Sequence, residues 1–183
     1  MVRASGELGF SCGVATTGVA YCWGRNWLAD TTSYLIATAP TVVAGTANLQ
    51  TISVGYGSAC GVAGGGAVTC WGSGALGRPV PSDTIGTCYG EQCISRPGNV
   101  SGGLAFTSVS VGWQSACGHA ADGKDYCWGL GYSGELGNGY PQPTSITPVV
   151  VSLPQQTAAL QMPVGLDERP RGLRREASPA RGL

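Results

Sequence analysis

The sequence predicts an all-β protein, a partial propeller of about three blades. Three observations carry the prediction. A Cys-Gly then Cys-Trp-Gly motif recurs three times with the same inner spacing. The segments around it are short, rich in Val, Thr, Tyr and Trp, and bounded by Gly and Pro, as strands between tight turns are. The unit length of about 50 residues suits a four-stranded blade; a leucine-rich or helical repeat needs a shorter period or a 3.6-residue apolar pattern.

The motif sets the frame. Cys12-Gly13 precedes Cys22-Trp23-Gly24, Cys60-Gly61 precedes Cys70-Trp71-Gly72, and Cys117-Gly118 precedes Cys127-Trp128-Gly129. The paired cysteines are ten positions apart each time, and the copies start 48 and then 57 residues on. Ile52-Ser53-Val54-Gly55 and Val109-Ser110-Val111-Gly112 lead into the second and third copies. Leu28, Leu76 and Leu136, then Pro40, Pro97 and Pro148, follow in order. Leu28 to Pro40 and Leu136 to Pro148 are each twelve residues, and nine extra residues after Leu76 account for the longer period.

Each cysteine pair reads as a hairpin. Pairing Cys12 with Cys22, Val14 with Ala20 and Ala15 with Val19 leaves the loop Thr16-Thr17-Gly18. A three-residue loop wants a left-handed residue, usually Gly, at its third position. Gly18, Gly66 and Gly123 stand there. Directly opposed residues on antiparallel strands bring Cα atoms to roughly 4.5–5.5 Å, which suits a disulfide. The expectation is three cross-strand bridges, Cys12–Cys22, Cys60–Cys70 and Cys117–Cys127. A fourth, local bridge Cys88–Cys93 would close the inserted loop Cys-Tyr-Gly-Glu-Gln-Cys. The competing readings are buried free thiols, or zinc, whose ligand pairs usually sit closer in sequence. Full pairing of eight cysteines implies an oxidising, extracytoplasmic compartment. Trp23, Trp71 and Trp128 face away from the cysteines beside them and read as core, since a blade is covered on both faces.

The frame runs on to Leu160 and Met162, then breaks: Pro163 and Glu168 stand where Gly and Cys are due. Residues 1–162 are therefore read as the repeats. Residues 163–183, with five arginines and three acids among Pro, Gly and Ala, are read as a disordered tail. Loss of register in mid-repeat points to a truncated or frameshifted fragment of a longer protein.

The Cys-Gly-x8-Cys-Trp-Gly hairpin with Gly-Glu-Leu-Gly-Asn-Gly at 134–139 resembles the regulator of chromosome condensation (RCC-type) repeat. Gly74-Ala75-Leu76-Gly77 is a shorter match, and Asn26-Trp27-Leu28-Ala29-Asp30 departs from it. The paired cysteines resemble the family's bacterial branch, and a secreted β-lactamase inhibitor protein has a similar propeller. The resemblance implies a seven-bladed ring, which three repeats cannot close without further repeats or another chain. The founding member of that family is a guanine-nucleotide exchange factor that binds chromatin; its functional loops are not specified by the repeat motif, so no site residue carries over.

Composition narrows the function. Net charge is zero, with ten basic and ten acidic side chains, which points away from nucleic acid. No apolar run is long enough to cross a bilayer as a helix. Met1-Val2-Arg3 leads into no apolar signal-peptide region. One histidine, His119, reads as a strand residue, and Asp122 as a turn residue before Gly123. No nucleophile motif, metal cluster or phosphate loop appears, so the expectation is a non-enzyme without cofactor or metal. The favoured function is a binding module for an unknown protein partner. Exchange-factor-like regulation, a structural cell-surface repeat and carbohydrate binding are the alternatives. Tyr56 and Trp113, at equivalent places after Gly55 and Gly112, are rim candidates, with Phe10 as their counterpart; the competing reading packs them beneath the rim. Tyr89, Glu91 and Gln92 in the inserted loop are the other candidates.

Overall fold

The computed structural model describes residues 3–7, 10–25, 36–74, 76–79, 85–88 and 91–153, with backbone alone for 3–7, 25, 85–88, 91–93 and 95. Residues 26–30, Tyr89, the side chains of Cys88, Cys93, Glu91 and Gln92, and everything from residue 154 onward, including the expected tail, lie outside the described residues.

Three antiparallel sheets follow one another along the chain. The first is β1 (Arg3–Glu7), β2 (Phe10–Val14), β3 (Ala20–Arg25) and β4 (Ile36–Val42), in that order. The second is β5 (Leu49–Val54), β6 (Ser58–Ala63) and β7 (Val68–Ser73), then β9 (Glu91–Asn99) and β8 (Ile85–Cys88). The third is β10 (Phe106–Val111), β11 (Ser115–Ala120), β12 (Asp125–Gly131) and β13 (Gln142–Val150). The nine-residue insertion thus supplies a fifth strand, β8, at the outer edge, with Cys88 opposite Glu91 and Cys93 opposite Gly86 in backbone register.

The central hairpins repeat in register. Cys12 faces Cys22, Cys60 faces Cys70 and Cys117 faces Cys127. All three pairs are disulfides, with Cα atoms 4.0–4.1 Å apart. Ala15 N–H donates to the Val19 carbonyl at 2.9 Å and Gly18 N–H to that of Ala15 at 2.9 Å, closing the three-residue loop. Gly18, Gly66 and Gly123 have φ of 79°, 83° and 81°.

The recurring prolines have a common cause as well. Thr41, Gly98 and Val149 pair with Cys22, Cys70 and Cys127, and a register shift opens immediately before each. Pro40, Pro97 and Pro148 sit in these bulges, where a strand can spare an N–H donor.

Side chains of successive sheets interlock. The first joint packs Cys12, Val14, Ala20 and Cys22 against Leu49, Ile52, Val54 and Trp71. The second packs Cys60, Val62, Val68 and Cys70 against Phe106, Ala116 and Trp128. Trp71 and Trp128 therefore each cover the disulfide face of the sheet before their own. Trp71 and Trp128 are fully buried. Trp23 is only half-buried, because no sheet precedes its face among the described residues. Backbone hydrogen bonds lock the same joints: Leu49 N–H to the Gly18 carbonyl at 2.9 Å, and Phe106 N–H to that of Gly66 at 2.7 Å. The Leu-Gly step after the second Trp-Gly now has a reason. Leu76 plugs the second joint at 3% exposure, and a Cβ on Gly77 would stand 2.7 Å from Cδ1 of Trp128.

The outer face of the third sheet differs. Where the first two sheets oppose Val14 to Ala20 and Val62 to Val68, the third opposes His119 to Asp125. Nδ1 of His119 lies 2.8 Å from Oδ1 of Asp125, and the two side chains are 49% and 43% exposed.

Candidate functional site

The inner strands β1, β5 and β10 lie side by side, with β5 in the middle. Their far ends turn back at residues 55–57 and 112–114, and these two turns build the site. Gly55 N–H donates to the Ser58 carbonyl at 2.9 Å, and Gly112 N–H to that of Ser115 at 2.8 Å, so both turns have the same form. They touch across the joint: Tyr56 N–H reaches the Gly112 carbonyl at 3.3 Å. A Cβ on Gly55 would meet that same oxygen at 2.1 Å, so this position admits only glycine. The hydroxyl of Ser53 accepts from Val111 N–H at 3.1 Å just below.

The close approach of the two turns brings their aromatic residues together. Tyr56 and Trp113 meet edge to face, with centroids 5.9 Å apart and planes at 67°. Tyr56 is 45% and Trp113 63% exposed, so both rings stand on the rim rather than beneath it. An edge-to-face pair is a favoured aromatic geometry and holds each ring's orientation. Ser73 fixes the tyrosine turn from outside, its N–H donating to the Gly57 carbonyl at 2.9 Å and its hydroxyl to that of Tyr56 at 3.4 Å. Leu130 N–H does the same for the tryptophan turn through the Gln114 carbonyl at 3.0 Å. The turns Gly55-Tyr56-Gly57 and Gly112-Trp113-Gln114 carry no charge, so the site offers aromatic faces and an amide.

Phe10 does not belong with this pair. It is 2% exposed and pairs with Gly24, the register place that Ser58 and Ser115 hold opposite Gly72 and Gly129. It stands two residues before its cysteine, whereas Tyr56 and Trp113 stand four before theirs. Tyr132 and Tyr140, 66% and 61% exposed, lie in the β12–β13 connection at the same end of the third sheet. The repeat frame misses them because they have no counterpart in other copies. Their signal is the longer spacing from Trp128 to Leu136, eight residues against five from Trp71 to Leu76.

His119 lies on β11, far from these turns in the sheet, with its ring held by Asp125. Asp122 caps its own hairpin turn. Its Oδ1 accepts from Lys124 N–H at 3.1 Å and its Oδ2 from the Tyr126 hydroxyl at 2.8 Å. The Tyr126 hydrogen bond, followed by that from Lys124, holds the Asp122 carboxyl below the usual range. The same bond to Asp122 pushes the Tyr126 phenol up. No group of three or more His, Cys, Asp and Glu side chains gathers into a metal cluster among the described residues.

Comparison with solved structures places the fold. Yeast RCC1 (Prp20), in its complex with Kap60, superposes with a TM-score of 0.71 at 18% identity, over 82% of this chain and 37% of that one. The fold is that of the RCC1-type β-propeller. Prp20 of Saccharomyces cerevisiae, in the structure that also addresses its binding to Gsp1p and histones, matches with a TM-score of 0.68 at 18% identity, over 82% of this chain and 38% of that one. Human WBSCR16 matches with a TM-score of 0.67 at 18% identity, over 84% of this chain and 40% of that one. The chain spans about two fifths of the length of these proteins. No family model and no curated protein sequence matches it.

Proposed function

We propose that this chain is a non-catalytic RCC1-type binding module that engages a protein partner through the rim carrying Tyr56 and Trp113, in an extracytoplasmic compartment. The observation that carries the reading is the exposed edge-to-face pair, held by a backbone hydrogen bond between two blades. Interface hot spots are enriched in Trp and Tyr, and preorganised rings lose little entropy on binding. Three intrachain disulfides support the compartment. The neighbours described with Kap60, Gsp1p and histones support a protein partner by analogy of fold. In this reading the repeats over 1–162 form the binding part, and further blades or a second chain complete the ring. The inserted loop's Tyr89, Glu91 and Gln92 are proposed as a second contact.

The test is affinity capture from the extracellular fraction of the source, comparing the wild-type chain with Tyr56→Ala/Trp113→Ala. A protein held by the wild type and lost by a variant with unchanged disulfides and melting temperature supports the proposal. Identical capture by both chains overturns it.

A further inference from the structure

The opposite rim, where the hairpin tips lie, holds a groove with no counterpart in the sequence pattern. It opens between the first and second tips and has a volume of about 590 Å³. Thr16, Thr17, Asn48 and Gln50 supply its polar lining, with exposed Gly64 and Gly65 along the second tip and buried Gly18 and Leu49 beneath. That size falls within the range of roughly 300–1,000 Å³ typical of small-molecule sites.

Two glycines in this groove are not required by the backbone. Gly66 needs its positive φ of 83°, but Gly64 and Gly65 are not among the residues with positive φ. A Cβ on Gly65 would meet nothing within 4 Å, and one on Gly64 would meet only the amide end of Gln50, at 3.1 Å. The first and third hairpins carry Thr16-Thr17 and Ala121-Asp122 at their tips. In the second, the missing side chains leave the groove open. Asn48 adds a second departure. It is the one described non-glycine residue with positive φ, at 56°, a region that Asn tolerates better than most residues. Its carbonyl accepts from Gly64 N–H at 3.1 Å, extending the β5–β6 pairing one step beyond Leu49 and Ala63 on the second blade's side of the groove.

The chemistry on offer is selective. Part of the backbone around the groove is already engaged: Gly18 N–H with Ala15, Leu49 N–H with Gly18, Ala63 N–H with Ala67, Gly64 N–H with Asn48 and Gly66 N–H with Ala63. An extended peptide would need a free strand edge to pair with, and these tips do not offer one. The lining side chains supply two hydroxyls and two carboxamides, each able both to donate and to accept, with no charged group among them. Hydroxyl-rich, uncharged ligands match that set.

We infer that the groove between the first two hairpin tips binds a neutral saccharide, at a site separate from the aromatic rim. The experiment titrates the full chain with cellohexaose, maltohexaose and chitohexaose, with hexagalacturonate as the charged control, by saturation-transfer NMR and calorimetry. One of the neutral sugars binds, and the control does not. Gln50→Ala, Asn48→Gly (which keeps the positive φ) and Gly65→Trp each weaken binding by about tenfold or more, with melting temperature and disulfides unchanged. Tyr56→Ala/Trp113→Ala leaves it intact. Absence of binding by every neutral sugar, preference for the charged one, or binding that survives all three groove variants overturns the inference. So does binding lost only in the aromatic variant, which moves sugar recognition to the other rim.

Discussion

Replacing Trp71 by alanine tests the blade joint most sharply. The indole is fully buried and packs on the face built by Cys12, Val14, Ala20 and Cys22. Truncating a buried Trp costs about 3–5 kcal/mol, from lost apolar burial and the cavity left behind. For a chain of this size each kcal/mol lowers Tm by roughly 2–4 °C, so Trp71→Ala should lose roughly 6–20 °C. Trp71→Phe should cost far less. The indole Nε1 has no hydrogen-bond partner, and an unpaired buried donor carries a penalty of about 1–3 kcal/mol that phenylalanine does not bear. Trp23 holds the same place in its own repeat but is half-buried, so Trp23→Ala should cost well under half as much. Scanning calorimetry of the oxidised variants reads all three. Equal losses at Trp23 and Trp71 would refute the assignment of each tryptophan to the joint before its own sheet.

Three further outcomes follow from single features. Gly65→Ala should raise stability by about 0.4–1 kcal/mol through the unfolded chain, whereas Gly66→Ala should lower it by more than 1 kcal/mol, its Cβ meeting that of Ala105 at 2.9 Å; urea midpoints read both. His119→Val with Asp125→Val should give the third sheet the apolar outer face of the other two and raise the mass seen by light scattering, while either single variant leaves it unchanged. Absorbance titration should show the Tyr126 phenol ionising above the ordinary value of 10.0, and Asp122→Asn should bring it down. The signs for stability are opposite at the two ends. The lowered Asp122 carboxyl contributes above the ordinary carboxylate range, a contribution lost as pH falls through its folded value. The raised Tyr126 phenol contributes below about 10, a contribution lost as pH rises through its folded value.

The repeat frame made the fold legible because every copy obeys the same local physics. Ten-residue cysteine spacing, a glycine at the third loop position and a proline in the bulge each act within one sheet. The register of all three hairpins could be written down from them. What lay between sheets was less legible. Trp23, Trp71 and Trp128 are identical in the frame, and only the stacking order separates the half-buried one from the two buried ones. Phe10 matches the rim pair in aromaticity alone: it stands two residues before its cysteine, where Tyr56 and Trp113 stand four. Tyr56 and Trp113 were legible as equivalent positions; their mutual contact depends on the passage of one glycine turn against another. The groove was invisible, since residues 16–18, 48–50 and 63–67 meet only when two blades dock. His119 was readable as a strand residue, but its pairing with Asp125 and the place of both on the outer face appear only by comparison with Val14–Ala20 and Val62–Val68.

The central claim is a stack of hairpin-stapled blades, and disulfide mapping tests it most directly. The purified chain is alkylated without reduction, digested and analysed by mass spectrometry. Crosslinked peptides should join Cys12 to Cys22, Cys60 to Cys70 and Cys117 to Cys127, with none of these six residues alkylated. Crosslinks between different hairpins, or alkylation of these cysteines, would contradict it.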